Sequence, residues 1–313
     1  MKYYVLRRIL LLIPTSLAVM TFVFLVVRVL PGDPAISMLG AHASEEALKA
    51  IREQLGLNYP LWKQYVFFIR DVVNLEFGKS MITGSSVISM TKRALLYTAD
   101  LVFTSMIISI LIGIPLGLLT AVKRNSWVDY SGRLFALLGL SIPDFFLGIL
   151  LILIFSIKLN LLPVIGGGDS NTLSMRLTHL ILPSFTLGLI VAAFITRMTR
   201  STILEILGQQ YIKVAHAKGV SERVVIYKHA LRNALVPIVT VIGIYINILL
   251  GGTVLVETVF NRPGLGKLIV GAIMQRDYVV LQSVLMIFSL FVVLVNLTID
   301  IAYRVIDPRI QYK

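Results

Sequence analysis

The stretch Tyr211–Pro237, YIKVAHAKGVSERVVIYKHALRNALVP, is the longest polar interruption in the apolar second half of the chain. Lys213, Lys218, Arg223, Lys228 and Arg232 make it strongly basic. Ile212, Val214, Ala215, Val224, Val225, Ile226 and Leu231 nevertheless recur through it at spacings that a helix gathers onto a face. Gly219 and Ser221 divide the stretch into two short helices. Glycine accepts the positive φ that ends the first, the Ser221 hydroxyl is placed to cap the second, and Glu222 suits the positive end of that second helix. A helix, an elbow and a helix between apolar runs predict a docking surface for something outside the membrane.

The rest of the chain supplies that membrane. Of 313 residues, 57% are hydrophobic and only 14% charged, and mean hydropathy is +0.87. Soluble domains carry about 25% charged residues, so this composition is that of an all-α polytopic membrane protein. There are no cysteines, which excludes disulfides and thiolate metal sites. His42, His179, His216 and His229 show no metal-ligand spacing.

Six apolar runs are long enough to cross a bilayer, which takes about 20 residues. They run from about Ile9 to Leu30, Leu95 to Val122, Ser131 to Ile157, Leu177 to Met198, Ala234 to Val256 and Val279 to Tyr303. The first is too long for the apolar part of a cleaved signal peptide and no small-residue cleavage site follows it, so it reads as a retained span. The predicted organisation is residues 1–30 as N-terminus and first span, and 31–94 as a large extracytoplasmic loop. Residues 95–303 form a five-helix core with cytoplasmic coupling helices at 210–230, and 304–313 a tail. In the large loop, Pro31–Pro34 reads as a turn, Ser44-Glu45-Glu46 opens a helix ending near Gly56, and Tyr59-Pro60 opens another carrying Trp62, Tyr65, Phe67 and Phe68.

An even number of spans puts both termini on one side. That side holds Lys2, Arg7, Arg8, Lys123, Arg124, Arg133, Arg197, Arg200, the five central cations, Arg304, Arg309 and Lys313. The short opposite loops hold only Lys158, Arg176, Arg262, Lys267 and Arg276. Positive charge marks the cytoplasmic side. The net charge of +13 is therefore topological, and a nucleic-acid partner is not implied.

Chemistry is sparse. Phe77-Gly78-Lys79-Ser80 mimics the end of a phosphate-binding loop, but the glycine required five residues earlier is Val73, so no nucleotide site is read there. Gly113 and Gly117 permit close helix packing. Asp144 lies mid-span beside Pro143, where an aspartate costs about 2.5–3.5 kcal/mol on insertion scales. It faces a water-filled path or a partner subunit, or else it is a satisfied helix-kink residue; both readings stand. Asp100 and Asp300 read as interfacial anchors. With no proton relay, nucleophile–base pair or metal cluster, six spans favour half of a translocation pathway driven from elsewhere.

At Tyr211–Pro237 the sequence resembles the cytoplasmic signature of bacterial ATP-binding-cassette (ABC) importer permeases, Glu-Ala-Ala, three residues, then Gly. Ala215 and Gly219 match, whereas Lys213 and Val214 replace the glutamate and first alanine. The departures are similar to the dipeptide/oligopeptide/nickel branch, with its Ala-x-Ala-Lys-Gly and a later block matched by His229–Ala234 and Pro237. The resemblance spans nearly the whole chain. It includes Leu6–Arg8, Pro31–Pro34, Leu55–Tyr65, FGKS, Ser141–Phe145, Ile181–Gly188, Val256–Leu268, Arg276–Tyr278 and DPRI (Asp307–Ile310). Together these look like the B-type permease subunit with the large loop after span one.

That resemblance implies a type I ABC importer permease fold in a bacterial or archaeal plasma (inner) membrane. It implies that this chain is not an enzyme and binds no cofactor, ATP and Mg being held by partners. The implied partners are a second related permease, two ATP-binding-cassette ATPases and an extracytoplasmic solute-binding protein, besides the lipid bilayer. Gln210–Lys228 would be the coupling helix pair, with Tyr211, Ile212, Val214, Ala215, Ala217, Lys218, Gly219, Ser221 and Glu222 as coupling residues, and side chains such as Ile212 and Val214 entering an ATPase groove. Pro143, Asp144 and Phe145 would border the translocation path, and Trp62, Tyr65 and Glu257 would face the binding protein, although most of the large loop is expected to pack over the permease. Di- or oligopeptides are the leading cargo; a nickel chelate or glutathione fits the same machine. An ion-coupled secondary transporter is the reading from another class, disfavoured by the missing ion relay.

Overall fold

The computed structural model describes residues 2–29, 35–36, 43–54, 56–168 and 172–306. The PGDP turn and the DPRI block lie outside them. Within the described residues the chain is helical, with one isolated antiparallel bridge between Lys79 and Ser86. Lipid offers no partner to backbone N–H and C=O groups, so apolar runs of this length fold as helices that satisfy themselves.

The helices are α1 (Lys2–Val29), α2 (Glu45–Gln54), α3 (Leu61–Val73), α4 (Val87–Val122), α5 (Trp127–Ser141) and α6 (Asp144–Lys158). They are followed by α7 (Leu173–Leu207), α8 (Gln210–Ala217), α9 (Glu222–Val259), α10 (Leu265–Gln275) and α11 (Tyr278–Ile306). Five of these are long and apolar enough to span a membrane singly. Helices α5 and α6, bent by 109° at their junction, pass the same test only as a pair and make a sixth span when counted as one. Four boundaries differ from the sequence reading. α4 begins eight residues before Leu95; the third span is broken rather than continuous; Gly264–Gln275 is mostly helix rather than loop; and α9 absorbs the second coupling helix. In each case an amphipathic or proline-bearing stretch continues or breaks a helix according to what it packs on, which hydropathy does not report.

The chain divides into two compact units: Met1–Thr98 with Pro263–Leu297, and Ala99–Arg262 with Thr298–Lys313. The first unit is built on the aromatic helix of the large loop. Ser44 caps α2 through a hydrogen bond from the Ala47 N–H at 3.3 Å, and Gly56, at φ +65°, closes it. Helix α3 then lays Phe68 and Val72 against Val23, Phe24 and Val27 of α1. The Phe24 ring meets Tyr65 edge-on at 5.3 Å and stacks on Phe68 at 5.8 Å, and the Tyr65 and Thr21 hydroxyls are hydrogen-bonded at 2.6 Å. The FGKS stretch is non-helical, with Lys79 bridged to Ser86, and leads into a turn at 81–83: Ser80 Oγ donates to Asp277 at 2.6 Å and accepts the Thr83 N–H at 3.0 Å. Leu265, Ile269 and Ala272 of α10 and Val280, Leu281 and Val284 of α11 complete this core.

The second unit has two apolar clusters. Leu101 and Met106 of α4, Leu187, Val191 and Ile195 of α7, and Leu249 and Val256 of α9 form one. Leu118 and Ala121 of α4, Ile203 and Ile206 of α7, Ile212 of α8, and Val225, Ala230, Ala234 and Ile238 of α9 form the other. The expected close packing at Gly113 and Gly117 is against α7. A Cβ at Gly113 would lie 2.7 Å from Ile195, and one at Gly117 would lie 2.6 Å from Thr199 and 2.7 Å from the Thr196 carbonyl. Two helix backbones approach there closer than any side chain allows.

Candidate functional site

The coupling segment starts where α7 ends at Leu207. Gln209 takes an extended backbone (ψ 152°), and α8 sets off in a new direction for two turns. Gly219, at φ +75°, reverses the chain, with the Gly219 N–H on the His216 carbonyl at 2.9 Å and the Val220 N–H on that of Ala215 at 3.2 Å. These are the bonds of a helix C-terminus closed by a left-handed residue. A Cβ on Gly219 would meet nothing within 4 Å, so backbone conformation rather than space selects glycine here.

Ser221 occupies the position before α9 as expected, but its hydroxyl makes no capping hydrogen bond; its carbonyl accepts the Val225 N–H at 3.1 Å. Nor is the second helix short. From Glu222 the helix runs unbroken to Val259, passing through a π-helical turn at Val225–Leu231. The second half of the elbow and the fifth span are one rod. Wide turns of this kind insert a residue without ending a helix and recur at functional sites.

Burial sorts the coupling residues into two sets. Ile212 is 1% exposed, under Val225, Ile226 and Ala230, and Ala215 packs at the edge of that cluster. Ile212 therefore holds α8 to its own chain and cannot enter a partner's groove, which corrects the expectation. Tyr211, Val214, Ala217, Lys218, Gly219, Ser221 and Glu222 are exposed, with Val214 at 48%. Lys213, standing where the signature has glutamate, is exposed beside them. The Asn233 amide donates to the Tyr211 hydroxyl at 2.8 Å, tying the start of α8 to α9.

At the other candidate positions the picture is mixed. Ile142 is extended (φ −88°, ψ 123°), as a residue before proline tends to be, and Pro143 starts α6. Asp144 is half-buried in the first turn of α6, where its carboxylate favours the helix dipole; it accepts the Phe145 N–H at 2.8 Å. Its other oxygen lies 3.1 Å from where a Cβ on Gly252 would be, so α9 passes it with bare backbone. Pro143 and Phe145 are exposed. Trp62 is 69% exposed, Tyr65 is half-buried against α1, and Glu257 is fully buried inside α9. Glu257 thus offers no surface to a binding protein: it lies on the inward face of a helix, not in the following loop.

Two ionic clusters, one around a fully buried carboxylate and one half-buried, escaped the sequence reading. Asp129, fully buried, accepts from Arg133 at 2.7 Å and 3.2 Å and from Arg200 at 2.6 Å and 2.9 Å, and takes the Asn125 N–H at 2.9 Å. Asp100, expected as an interfacial anchor, is instead bound by Arg176, whose Nε donates at 2.8 Å, with the buried Arg262 4.0 Å away. The i, i+4 spacing of Asp129 and Arg133 was a visible signal; the partners 71 and 76 residues away were not.

Comparison with known proteins bears on what these helices serve. Residues 113–312 match the model of the "Binding-protein-dependent transport system inner membrane component" family, and residues 1–93 match the model of its N-terminal region. The chain belongs to this family. It is 44% identical over 313 residues, the full length of both chains, to the glutathione transport system permease protein GsiC of Salmonella choleraesuis, and 42% identical over the same length to GsiC of Escherichia coli K12. Among solved structures it is similar in fold to inward-facing conformations of the MetNI methionine ABC transporter. One such chain gives a TM-score of 0.55 at 23% identity, covering 69% of this chain and 96% of that one. This inner-membrane component is thus a permease subunit of an ABC importer with the type I fold. It is not itself an enzyme: in this family ATP hydrolysis belongs to separate ATPase subunits. The secondary-transporter reading falls with that assignment.

Proposed function

We propose that this permease imports short peptides, glutathione included, as one of two related permease halves. An extracytoplasmic binding protein delivers the cargo, and two ATPases holding ATP and Mg drive transport. The observation that carries the cargo class is the full-length identity of 44% to glutathione permeases, a tripeptide being within the range that the sequence blocks suggest. Coupling is assigned to the exposed strip Tyr211, Val214, Ala217, Lys218, Gly219, Ser221 and Glu222. It is supported by the geometry behind it: Ile212 pins α8, and α9 carries displacement from Glu222 to Val259 without a break. Rigid elements pass on a partner's closure in this way. Pro143, Asp144 and Phe145 border the path in this reading, supported by the break in the helix there, which leaves Pro143 and Phe145 exposed and Asp144 half-buried. Trp62 is the residue of the large loop offered to the binding protein. Both termini and the coupling strip lie in the cytoplasm, following the positive charge.

The test is uptake by the assembled importer with its binding protein in proteoliposomes. Labelled glutathione, an α-linked tripeptide, a dipeptide and a nickel chelate are compared, and ATP-dependent accumulation of glutathione is expected. Accumulation of the nickel chelate alone overturns the cargo. Gly219→Asp places a charge and a Cβ at the left-handed elbow. It is expected to abolish uptake and ATPase co-purification while leaving the chain inserted; normal uptake with a docked ATPase overturns the coupling assignment.

A further inference from the structure

Within the second unit, a cavity of about 440 Å³ opens between the middle and end of α5 and the last turns of α7, lined in part by Arg133, Leu137, Leu140, Thr196, Arg197 and Arg200. Three guanidinium groups face it. The one carboxylate at hand, Asp129, is fully buried and divided between Arg133 and Arg200. Arg197 is exposed and has no acidic partner among the described residues. Thr196 is 1% exposed, and its hydroxyl has no hydrogen-bond partner. A cavity with surplus cations and an unused hydroxyl is built for an anion.

Helix α5 indicates which anion. Trp127 (88% exposed) and Tyr130 (54%) stand at its start, edge to face at 6.4 Å. The Arg133 guanidinium lies 4.8 Å from the Tyr130 ring. Beyond it Leu134, Leu137 and Leu138 are each about half exposed. Aromatic, cationic and aliphatic side chains follow one another along one helix. That is the order of a bilayer interface, where Trp and Tyr sit at headgroup level with aliphatic residues in the hydrocarbon. A soluble anion has no use for the leucine strip. Basic pockets between spans on the cytoplasmic side suit anionic headgroups.

We propose that this cavity binds the phosphate of an anionic phospholipid, with Arg197 as the uncommitted cation, Arg133 and Arg200 as its flanks, and the acyl chains along Leu134, Leu137 and Leu138. None of the lining residues belongs to the coupling strip. The Asp129 cluster prepares it, since the carboxylate fixes two of the three guanidinium groups without neutralising the third.

The experiment is native mass spectrometry of the assembled importer released from nanodiscs of equal parts phosphatidylglycerol and phosphatidylcholine. The wild type is expected to retain phosphatidylglycerol preferentially. Arg197→Gln touches no ion pair, so folding is kept; it is expected to lower that retention about fivefold, as loss of one cation at a lipid surface does, while Arg197→Lys preserves it. Equal retention of the two lipids, or no change in Arg197→Gln, overturns the proposal. Displacement of the lipid by inorganic phosphate as readily as by short-chain phosphatidylglycerol also overturns it, making the site one for a soluble anion. Retention by the isolated chain but not by the importer overturns it in favour of a subunit interface.

Discussion

Ile212 and Val214 are two residues apart on α8 and do different work. Ile212 is buried at 1% exposure and Val214 is 48% exposed. Ile212→Ala removes a side chain from the cluster that fastens α8 to α9 and is expected to cost about 2–5 kcal/mol, read as a fall in the thermal midpoint of the solubilised chain. Val214→Ala is expected to leave that midpoint within the narrow range usual for surface changes, yet to weaken ATPase co-purification. An equal loss of midpoint in both variants means that the strip is structural. Asp129 is the other residue on which much turns. Asp129→Ala leaves Arg133 and Arg200 without their shared carboxylate, and because Arg133 is 44% and Arg200 21% exposed, solvent holds the cost below the about 3–5 kcal/mol of breaking a fully buried pair. Reduced membrane yield is expected for Asp129→Ala, with partial recovery in Asp129→Asn, which keeps the hydrogen-bond acceptor.

At the scale of the helices, two contacts carry the arrangement. Gly117 lets α4 meet α7 at a distance no Cβ tolerates: the nearest atoms would be 2.6 Å and 2.7 Å away, one of them a backbone carbonyl. Gly117→Ala therefore overpacks a junction that cannot give way. It is expected to destabilise by about 1–3 kcal/mol, whereas Gly271→Ala, where a Cβ meets nothing within 4 Å, serves as the near-neutral control. The break at Ile142–Pro143 poses a question of cause. A straight helix from Leu134 to Ile157 would span about 35 Å at the usual rise, and the 109° bend holds its ends much closer. The chain has no cysteine, so spin labels at Leu134→Cys and Ile157→Cys report only this distance. Pro143→Ala is expected to lengthen it. An unchanged distance means that packing of α6 on its neighbours, and not proline, maintains the bend. The elbow was readable because glycine and serine at fixed spacing mark a helix end. The fusion of its second half with the fifth span was not, since Glu222–Ala234 is too polar for a hydropathy window to join to the apolar run beyond Ala234.

For the molecule as a whole, the assignment of a permease without its own energy source predicts that the chain reconstituted alone accumulates no peptide under a proton or sodium gradient. Uptake should appear only with the ATPases, the second permease and the binding protein. Gradient-driven accumulation by this chain alone, measured in the same vesicles, contradicts the proposed mechanism.

By itself the sequence determined the number of apolar runs, the helical class, the family and the position of the Gly219 elbow. Those depend on composition, periodicity and local backbone preference, all of which are properties of neighbours along the chain. Tertiary structure alone decided that Ile212 is an internal fastening, that Glu257 is buried, and that Asp129 and Asp100 meet arginines more than 70 residues away. In a chain whose spans are apolar on every side, hydrophobicity no longer tells inside from outside. Which face is buried is settled by shape, by small residues that let backbones approach, and by where a few charges find one another.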